Sequence, residues 1–199
     1  MKLSEKFRSV TPKRTERQLE ERKELLMKFG AMFPFITYNG VLVDDYDNYD
    51  ICCKNNIPFK VLENSFSSES AAIANLICRQ LNTGGLTSFQ RCEILLRNAQ
   101  VLKNTIGWDR EKLAEIAGVS KTLFEMAGDV VRFADDKLLD RARDEKISIE
   151  EAYDEVMIKV GEVDELKSDL MGLIETIDSF YGVPKIVFPT LQKIAKKYD

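Results

Sequence analysis

The sequence predicts an α+β chain: a small mixed N-terminal domain, then an all-α helix-turn-helix bundle and C-terminal helices. Two observations predict this class. Asn39–Gly40 between two apolar segments is typical of the tight turn of a β-hairpin. From residue 67 onwards, apolar residues recur at three- and four-residue spacing, which is typical of amphipathic helices. The length of 199 residues is enough for one compact domain or two small ones.

The composition excludes several classes of protein and site. With 44% hydrophobic and 31% charged residues, the chain is typical of an ordinary globular protein. No apolar segment approaches the roughly 20 residues that cross a bilayer, so no membrane partner is expected. There is no histidine, which excludes the usual catalytic triad base and histidine-ligated zinc. No metal site and no catalytic residue are predicted.

The cysteines indicate a reducing compartment. None of them forms a C-x-x-C pair, the spacing typical of zinc and redox sites. They are therefore expected to be small buried hydrophobic residues of a cytoplasmic protein. The four cysteines are Cys52, Cys53, Cys78 and Cys92.

The N-terminal elements follow from local signals. Residues 1–14 are polar and basic, carry no apolar leader, and are expected to form a flexible arm. Thr15 and Gln18 have the spacing of a capping box, which predicts the start of a helix. Gly30 is placed to end that helix. Its apolar stripe consists of Leu19, Leu25, Leu26 and Phe29.

The hairpin is followed by three further elements. The segment 45–56 predicts a short helix, and the apolar and β-branched residues of 57–63 predict a strand. The segment 67–81 predicts a helix that ends at the sequence Asn-Thr-Gly-Gly.

The second half is predicted to be helical throughout. Thr87 is the expected cap of a long helix that continues to residue 104. A short helix at 109–118, a tight turn and a helix at 121–133 form a helix-turn-helix pattern. The remaining predicted helices cover 136–146, 148–160, 163–180 and 189–198.

This order of elements resembles the N-terminal and central domains of ParB-type partition proteins, from about residue 15 to 160. The matching segments are MFPFITYNGVLVDDYDNYDICCKNNIPFKVLE, QLNTGGLTSFQR, LAEIAGVSKTLFEMAGDVV and ISIEEA. The resemblance implies an N-terminal domain at 15–85 and a helix-turn-helix domain at 86–160. It leaves 161–199 as a C-terminal helical segment for dimerisation or partner binding.

The resemblance also implies a nucleotide site that has degenerated. ParB-like domains hold a nucleoside triphosphate, typically CTP, with a Gly-His-x-Arg-like box and an Arg-Arg-Asn segment. The box aligns here with Asp45, Tyr46, Asp47 and Asn48, and the segment aligns with Thr83, Gly84 and Gly85. Carboxylates repel a triphosphate by about 1–4 kcal/mol per charge pair at a few ångströms. We therefore expect no CTP binding and no cofactor.

The aspartates around this box allow two interpretations. Asp44, Asp45, Asp47 and Asp50 form an oxygen-rich cluster of the kind that holds divalent cations. The segment lacks the turn glycine and the distal glutamate of a calcium loop, however. The favoured interpretation is a solvated acidic helix start, where the helix dipole stabilises negative charge.

DNA is the partner that the helix-turn-helix pattern predicts. Residues at the start of its second helix reach base edges and phosphates in such readers. The candidate contacts are Ser120, Lys121 and Thr122, with Arg110 and Lys112 from the preceding helix and Lys13 and Arg14 from the basic arm. For Ser120, the alternative is that it merely caps its helix.

The charge distribution qualifies this prediction. The net charge of −4 averages a segment of +4 at 1–15, a nearly neutral +1 at 86–134 and a segment of −9 at 135–182. A basic arm beside a neutral helix pair is compatible with DNA contact, whereas the acidic segment favours a protein partner.

The segment 163–180 contains a short heptad pattern. Six apolar residues are spaced three and four apart, as in a coiled-coil seam. The favoured interpretation is that this helix packs on its own domain, and the alternative is a homodimer through the seam. The six residues are Val163, Leu166, Leu170, Leu173, Ile177 and Phe180.

Three functions follow, in order of preference. The first is a non-enzymatic, ParB-like DNA-binding protein of a plasmid, phage or other mobile element, which acts in partition or transcription regulation and is nucleoid-associated when DNA-bound. The second is an interaction module or inhibitor that uses its acidic surface to bind a host protein. The third, a nuclease or nucleotide hydrolase, lacks histidine and a phosphate cradle.

Overall fold

The structure, a computed structural model, describes the backbone of residues 1–82 and 85–181 and, within these, all side chains except those of 162–167 and 174–181. It is α+β, with ten helices and three strands in this part of the chain. The helices are α1 (Glu5–Arg8), α2 (Glu16–Phe29), α3 (Tyr46–Lys54), α4 (Glu69–Asn82), α5 (Ser88–Arg97), α6 (Ala99–Ile106), α7 (Arg110–Ala117), α8 (Lys121–Phe133), α9 (Asp136–Arg143) and α10 (Ile149–Tyr181). The strands are β1 (Phe35–Tyr38), β2 (Val41–Leu42) and β3 (Val61–Glu63).

The sheet has the order β2-β1-β3. β1 pairs antiparallel with β2 and parallel with β3. The predicted hairpin turn is present, and both of its central residues, Asn39 and Gly40, have positive φ, at 51° and 72°. The predicted strand at 57–63 forms only at its end, since β3 is three residues long and exposed.

The N-terminal segment is packed, which corrects the expectation of a flexible arm at 1–14. Phe7 and Val10 are buried in the core. The backbone of Lys2 extends the sheet, because its N–H donates to Gly40 O at 2.8 Å and its carbonyl accepts from Leu42 N at 2.9 Å. The prediction weighed the basic residues of this segment and overlooked Phe7 and Val10, whose side chains pack against the rest of the domain.

The capping box of α2 is confirmed, and Gly30 ends the helix with a φ of 73°. Its apolar stripe faces the core only in part: Leu26 packs against the core, whereas Leu25 and Phe29 are both 57% exposed and the buried residue of this helix is Gln18. The helix that fills the core is α4, through Leu76 and Ile77. Leu25, Leu26 and Phe29 of α2 line an open cavity of about 730 Å³.

The predicted long helix at 88–104 is two helices. α5 ends at Asn98, whose side-chain amide donates to Ile94 O at 2.8 Å. Such a local side-chain bond competes with the helical backbone bonds and ends the helix. α6 then begins at Ala99.

The predicted helices at 148–160 and 163–180 are one helix, α10, so the proposed boundary between residues 160 and 161 falls inside a continuous element. Ser148 and Glu151 form a reciprocal cap at its start. Its first turns pack on α8 and bury Ala152 and Val156. The predicted helix at 189–198 lies outside the described residues. None of the described helices is long and apolar enough to cross a membrane.

The cysteines only partly follow the prediction. Cys52 and Cys92 are buried, Cys78 is half-buried and Cys53 is exposed. Burial raises the pKa of the Cys92 thiol to about 12, so this residue is neutral and acts as a small hydrophobic side chain.

A buried ion pair joins α5 to α9. Arg143 donates to both carboxylate oxygens of Glu93, at 2.9 and 2.6 Å, and Arg97 donates to Oε1 at 2.9 Å. Burial opposes ionisation of Glu93, but the hydrogen bonds from Arg143 and Arg97 outweigh it and lower its pKa. Glu93 is therefore a buried anion that depends on its arginines.

We expect Arg143→Ala to lower the free energy of unfolding by about 3–5 kcal/mol, because it leaves the Glu93 carboxylate buried with one partially exposed partner. Urea unfolding at neutral pH measures this. The matched control is Arg141→Ala, which breaks a half-exposed pair with Glu155 and should cost roughly 0–1 kcal/mol. Equal losses in the two variants would contradict the interpretation.

Candidate nucleic-acid interface

α7 and α8 lie where the sequence predicts two helices around a short turn. Asp109 caps α7 by accepting from Lys112 N at 2.9 Å, and Gly118 ends it in the left-handed region at a φ of 79°. Ser120 caps α8 by accepting from Leu123 N at 3.1 Å. The helix-capping alternative for Ser120 is therefore confirmed, while its hydroxyl proton stays available to a ligand.

The start of α8 presents polar groups to solvent. Ser120, Lys121 and Thr122 are all exposed. Lys121 has no ion pair with any residue that the structure describes. Arg110 is also exposed and flanks this helix, since a Cβ at Gly128 would lie 3.6 Å from its Nη2. We call Ser120, Lys121 and Thr122 at the helix start, together with Arg110 about two turns further along, the α8 surface.

The other three predicted DNA contacts, Lys112, Lys13 and Arg14, lie in different surroundings: two are ion-paired at the surface and one is buried. The Lys112 ammonium is paired with Glu115 at 2.8 Å. Lys13 belongs to the packed N-terminal segment and lies 3.6 Å from Asp140. The Arg14 side chain is 0% exposed, so the structure corrects its assignment as a DNA contact.

Arg91 of α5 connects α4 to the α7–α8 turn. Its guanidinium donates to the carbonyls of Leu81 (3.1 Å), Ile116 (2.6 Å) and Ala117 (3.1 Å). The last carbonyls of a helix have no partner within the helix, and one cation satisfies those of two helices. Sequence reasoning missed this residue because no local pattern marks it.

The predicted nucleotide box lies at the start of α3. Asp45 caps the helix: its Oδ1 accepts from the N–H groups of Asp47 (3.1 Å) and Asn48 (3.2 Å). Tyr46 is buried, and its hydroxyl donates to Leu42 O at 2.8 Å. Burial is also the main cause that raises the pKa of this phenol. The N–H groups of Asp47 and Asn48 and the Tyr46 hydroxyl are therefore already engaged within the protein.

Asp44 and Asp45 are buried, Asp47 and Asp50 are half-buried, and all four are paired with arginines, which corrects the prediction of a solvated acidic helix start. Asp45 binds Arg14 at 3.2 Å and Arg22 at 2.8 Å. Asp47 binds Arg14 at 2.7 Å. We call Arg14, Arg22, Asp45 and Asp47, together with Arg79, Asp44 and Gln80, the α3 ion-pair cluster. It balances three arginines against three aspartates.

Burial dominates the electrostatics of this cluster. Burial raises the pKa of Asp44, against the attraction of Arg79 at 3.0 Å. Burial likewise raises the pKa of Asp47, against the attraction of Arg14, and lowers that of Arg22. Arg14, Arg22 and Arg79 each already form an ion pair with an aspartate of the cluster. The metal alternative gains no support, because the described residues contain no grouping of acidic or cysteine side chains suited to an ion.

A nucleoside triphosphate does not fit these residues. Its charges would lie beside Asp44 and Asp45, while the helix amides that usually bind phosphate are occupied by Asp45. Gly85 has a φ of 75° and lies at the edge of this region. Thr83 and Gly84, the other two residues of the second predicted box, lie outside the described residues.

Comparison with known proteins places the fold. No family model matches the chain, and no curated protein matches it. Among solved structures, a Pnob8-like ParB-N domain is similar over 100% of this chain and 93% of that chain, with 19% identity and a TM-score of 0.52. The chain therefore has the fold of a ParB-N domain followed by helices, as the resemblance implied.

A second solved structure is less similar. It is the C-terminally truncated chromosome-partitioning protein ParB from Caulobacter crescentus complexed to the centromeric parS site. It matches 74% of this chain and 91% of that chain, with 13% identity and a TM-score of 0.37. A likeness at this level carries no argument.

We expect Arg91→Met to lower the free energy of unfolding by about 2–4 kcal/mol, because it leaves three carbonyls without their charged donor. Hydrogen exchange should accelerate most in the α7–α8 turn. The matched control is Arg132→Met on α8, whose guanidinium lies over the exposed Phe133 ring and should have little effect. Wild-type stability of Arg91→Met would refute the role assigned to Arg91.

Proposed function

We propose that this chain is a non-enzymatic, ParB-like DNA-binding protein that works without CTP. The observation that carries the proposal is the α8 surface, where Ser120, Lys121 and Thr122 are exposed at the helix start and Arg110 is exposed beside Gly128, about two turns further along. The likeness to a ParB-N domain supports a role in partition. A plasmid, phage or other mobile element is the proposed source, with transcription regulation as a related role of the same surface.

The mechanism follows from the physics of a helix start. α8 enters the major groove with its first turn, where the positive end of the helix dipole and Lys121 attract phosphate. Ser120 and Thr122 carry hydroxyls that hydrogen-bond phosphates or base edges. Arg110 neutralises a second phosphate. Two cations give only weak affinity with a strong dependence on salt.

The acidic C-terminal helices limit how DNA approaches. Residues 135–182 carry a net charge of −9, and α10, which contains many of these acidic residues, packs on α8, so DNA must approach the start of α8 from the side away from α10. The proposed dimer seam at 163–180 lies on α10, where Leu173 is exposed. Two copies joined there would present two α8 helices to two half-sites of one duplex.

We expect Lys121→Glu to weaken binding to a labelled mixed-sequence duplex by about tenfold or more at low salt, since a phosphate contact becomes a repulsion. Fluorescence anisotropy across a salt series measures this. The matched control is Lys54→Glu, which makes the same charge change on an exposed position of α3 and should leave binding unchanged.

Two outcomes would contradict the DNA proposal. Absence of wild-type binding to any duplex at low salt would remove it and favour the host-protein alternative. An equal loss in Lys121→Glu and Lys54→Glu would show that only net charge matters and that α8 is not the contact.

The nucleotide part of the proposal is tested separately. Titration calorimetry of the full chain with CTP and Mg²⁺ should show no saturable heat, because the α3 ion-pair cluster already neutralises its arginines. ATP with Mg²⁺ is the control for adventitious triphosphate binding. Tight, saturable binding of CTP alone would overturn this part of the proposal and leave the DNA part intact.

A further inference from the structure

DNA binding leaves unexplained a cavity between α2, the loop that follows it, the start of α3 and the end of α4. Its volume is about 730 Å³, and it contains no residue of the α8 surface. One of its walls is apolar: Leu25 and Phe29 of α2 are each 57% exposed, and Met32 and Phe33 of the loop are 72% and 74% exposed. Contiguous exposed apolar surface marks an interaction site.

The open side of the cavity suits the face of a helix better than a small molecule. A small-molecule site buries about 70–90% of the surface of its ligand, whereas the apolar wall of this cavity is more than half exposed. An amphipathic helix lays its apolar face into such an open site and keeps its polar face in water. The occupant should therefore carry apolar residues three and four positions apart.

The charge around the cavity favours a basic occupant. The charged residues that line it are Glu21, Asp44 and Asp45 against Arg22 and Arg79, which leaves a net charge of −1. The chain around it is more acidic, since residues 1–181 carry a net charge of −7. An acidic helix is repelled by this surface, whereas a basic one is attracted.

The chain itself contains a segment with both properties, residues 183–199, which lies outside the described residues. The segment carries a net charge of +3. The sequence predicts a helix at 189–198, in which Leu191, Ile194 and Tyr198 are spaced three and four apart. At 100° per residue, the opposite face of this predicted helix is basic. The residues of that face are Lys193, Lys196 and Lys197.

The length of α10 decides which copy of the segment reaches the cavity. Lys159 pairs with Asp135, just past the end of α8, so α10 runs beyond the helix on which it packs. From Val160, which still contacts the core, to Tyr181 the helix extends about 32 Å. Residues 182–188 span at most about 25 Å, which is too short to bring the segment back to its own cavity.

We propose that segment 183–199 of one copy docks in this cavity of a second copy. Leu191 and Ile194 lie against the apolar wall at Phe33, and the lysines of the opposite face lie near the acidic rim at Glu21. Each copy gives one segment and receives one, which closes a two-fold dimer. The proposal depends neither on DNA binding nor on the seam at 163–180.

The test uses the full chain and two measurements, its mass by sedimentation equilibrium and the rate at which trypsin cleaves its C-terminal lysines. We expect a dimer in which cleavage within 193–197 is slow and accelerates on dilution, because dissociation exposes the segment. Phe33→Ser and Leu191→Ser should each weaken the dimer at least about tenfold, since each removes an apolar side chain from the contact. Circular dichroism checks that both variants fold.

Each type of substitution has a matched control. Leu62→Ser replaces another exposed apolar residue, on β3 and outside the cavity, and should leave the dimer unchanged. Glu21→Lys should weaken the dimer about fivefold, because it places a positive charge beside the basic segment. Glu24→Lys makes the same charge change on an exposed position of α2 outside the cavity and should have no effect.

A mixture of the two weakened chains identifies the two halves of the contact. The Phe33→Ser chain keeps an intact segment, and the Leu191→Ser chain keeps an intact cavity. Their mixture should therefore form a heterodimer through one docked segment. Mass spectrometry of the digest should show slower cleavage of the Phe33→Ser chain in the mixture than alone.

Four results would overturn the inference. The first is a monomer at every concentration. The second is a dimer that survives both Phe33→Ser and Leu191→Ser, which would place the interface elsewhere, as at the seam. The third is slow cleavage that does not change on dilution, which would place the segment on its own chain. The fourth is no recovery in the mixture after both single variants have lost the dimer.

Discussion

The ion pairs around Asp45 are the constraint on which the N-terminal half depends. A buried carboxylate is stable as an anion only when it is paired and hydrogen-bonded. Asp45 therefore requires Arg14 from the N-terminal segment, Arg22 from α2 and two amides of its own helix, all of which it holds at 2.8–3.5 Å. These bonds bring three parts of the chain to one point. The N-terminal segment is thereby fixed rather than free to follow a DNA backbone.

The same pairing determines what the cavity can bind. Arginines that faced an empty cavity would attract phosphates, but here Asp44, Asp45 and Asp47 neutralise them. The cavity therefore has no excess positive charge beside its apolar wall of Leu25, Phe29, Met32 and Phe33. The chemical character of the site thus follows from how the aspartates are satisfied, and only indirectly from the fold.

The sequence was most informative where structure depends on neighbours along the chain. The capping box at Thr15, the turn at Asn39–Gly40 and the helix end at Gly30 all use bonds between residues a few positions apart, so each was predictable. The order of such elements also revealed the fold. Acidic composition suggested solvated aspartates, however, because a sequence does not show that Arg14, 31 residues from Asp45, closes over them.

In the second half α7 and α8 were predicted correctly, but two helix boundaries were not, for a related reason. The helix is interrupted at Asn98, and it continues through Gly161 inside α10. Both outcomes depend on how local hydrogen bonds compete with packing, and the spacing of apolar residues does not show which one prevails. The contacts of Arg91 extend over 10 to 26 residues and leave no periodic signal. Hence the positions of the polar residues that matter most for the candidate sites had to come from the structure.

The position of Arg91 relates the cavity to the α8 surface. Leu81, which accepts from Arg91, lies between Gln80 and Asn82, and both of these line the cavity. Ile116 and Ala117, the other acceptors, directly precede the turn into α8. A shift of the end of α4 must therefore be absorbed by Arg91 or passed to the helix that we propose reads DNA. Any resulting coupling is reciprocal, so a ligand that favours one placement of α8 must itself bind more tightly when DNA holds that placement.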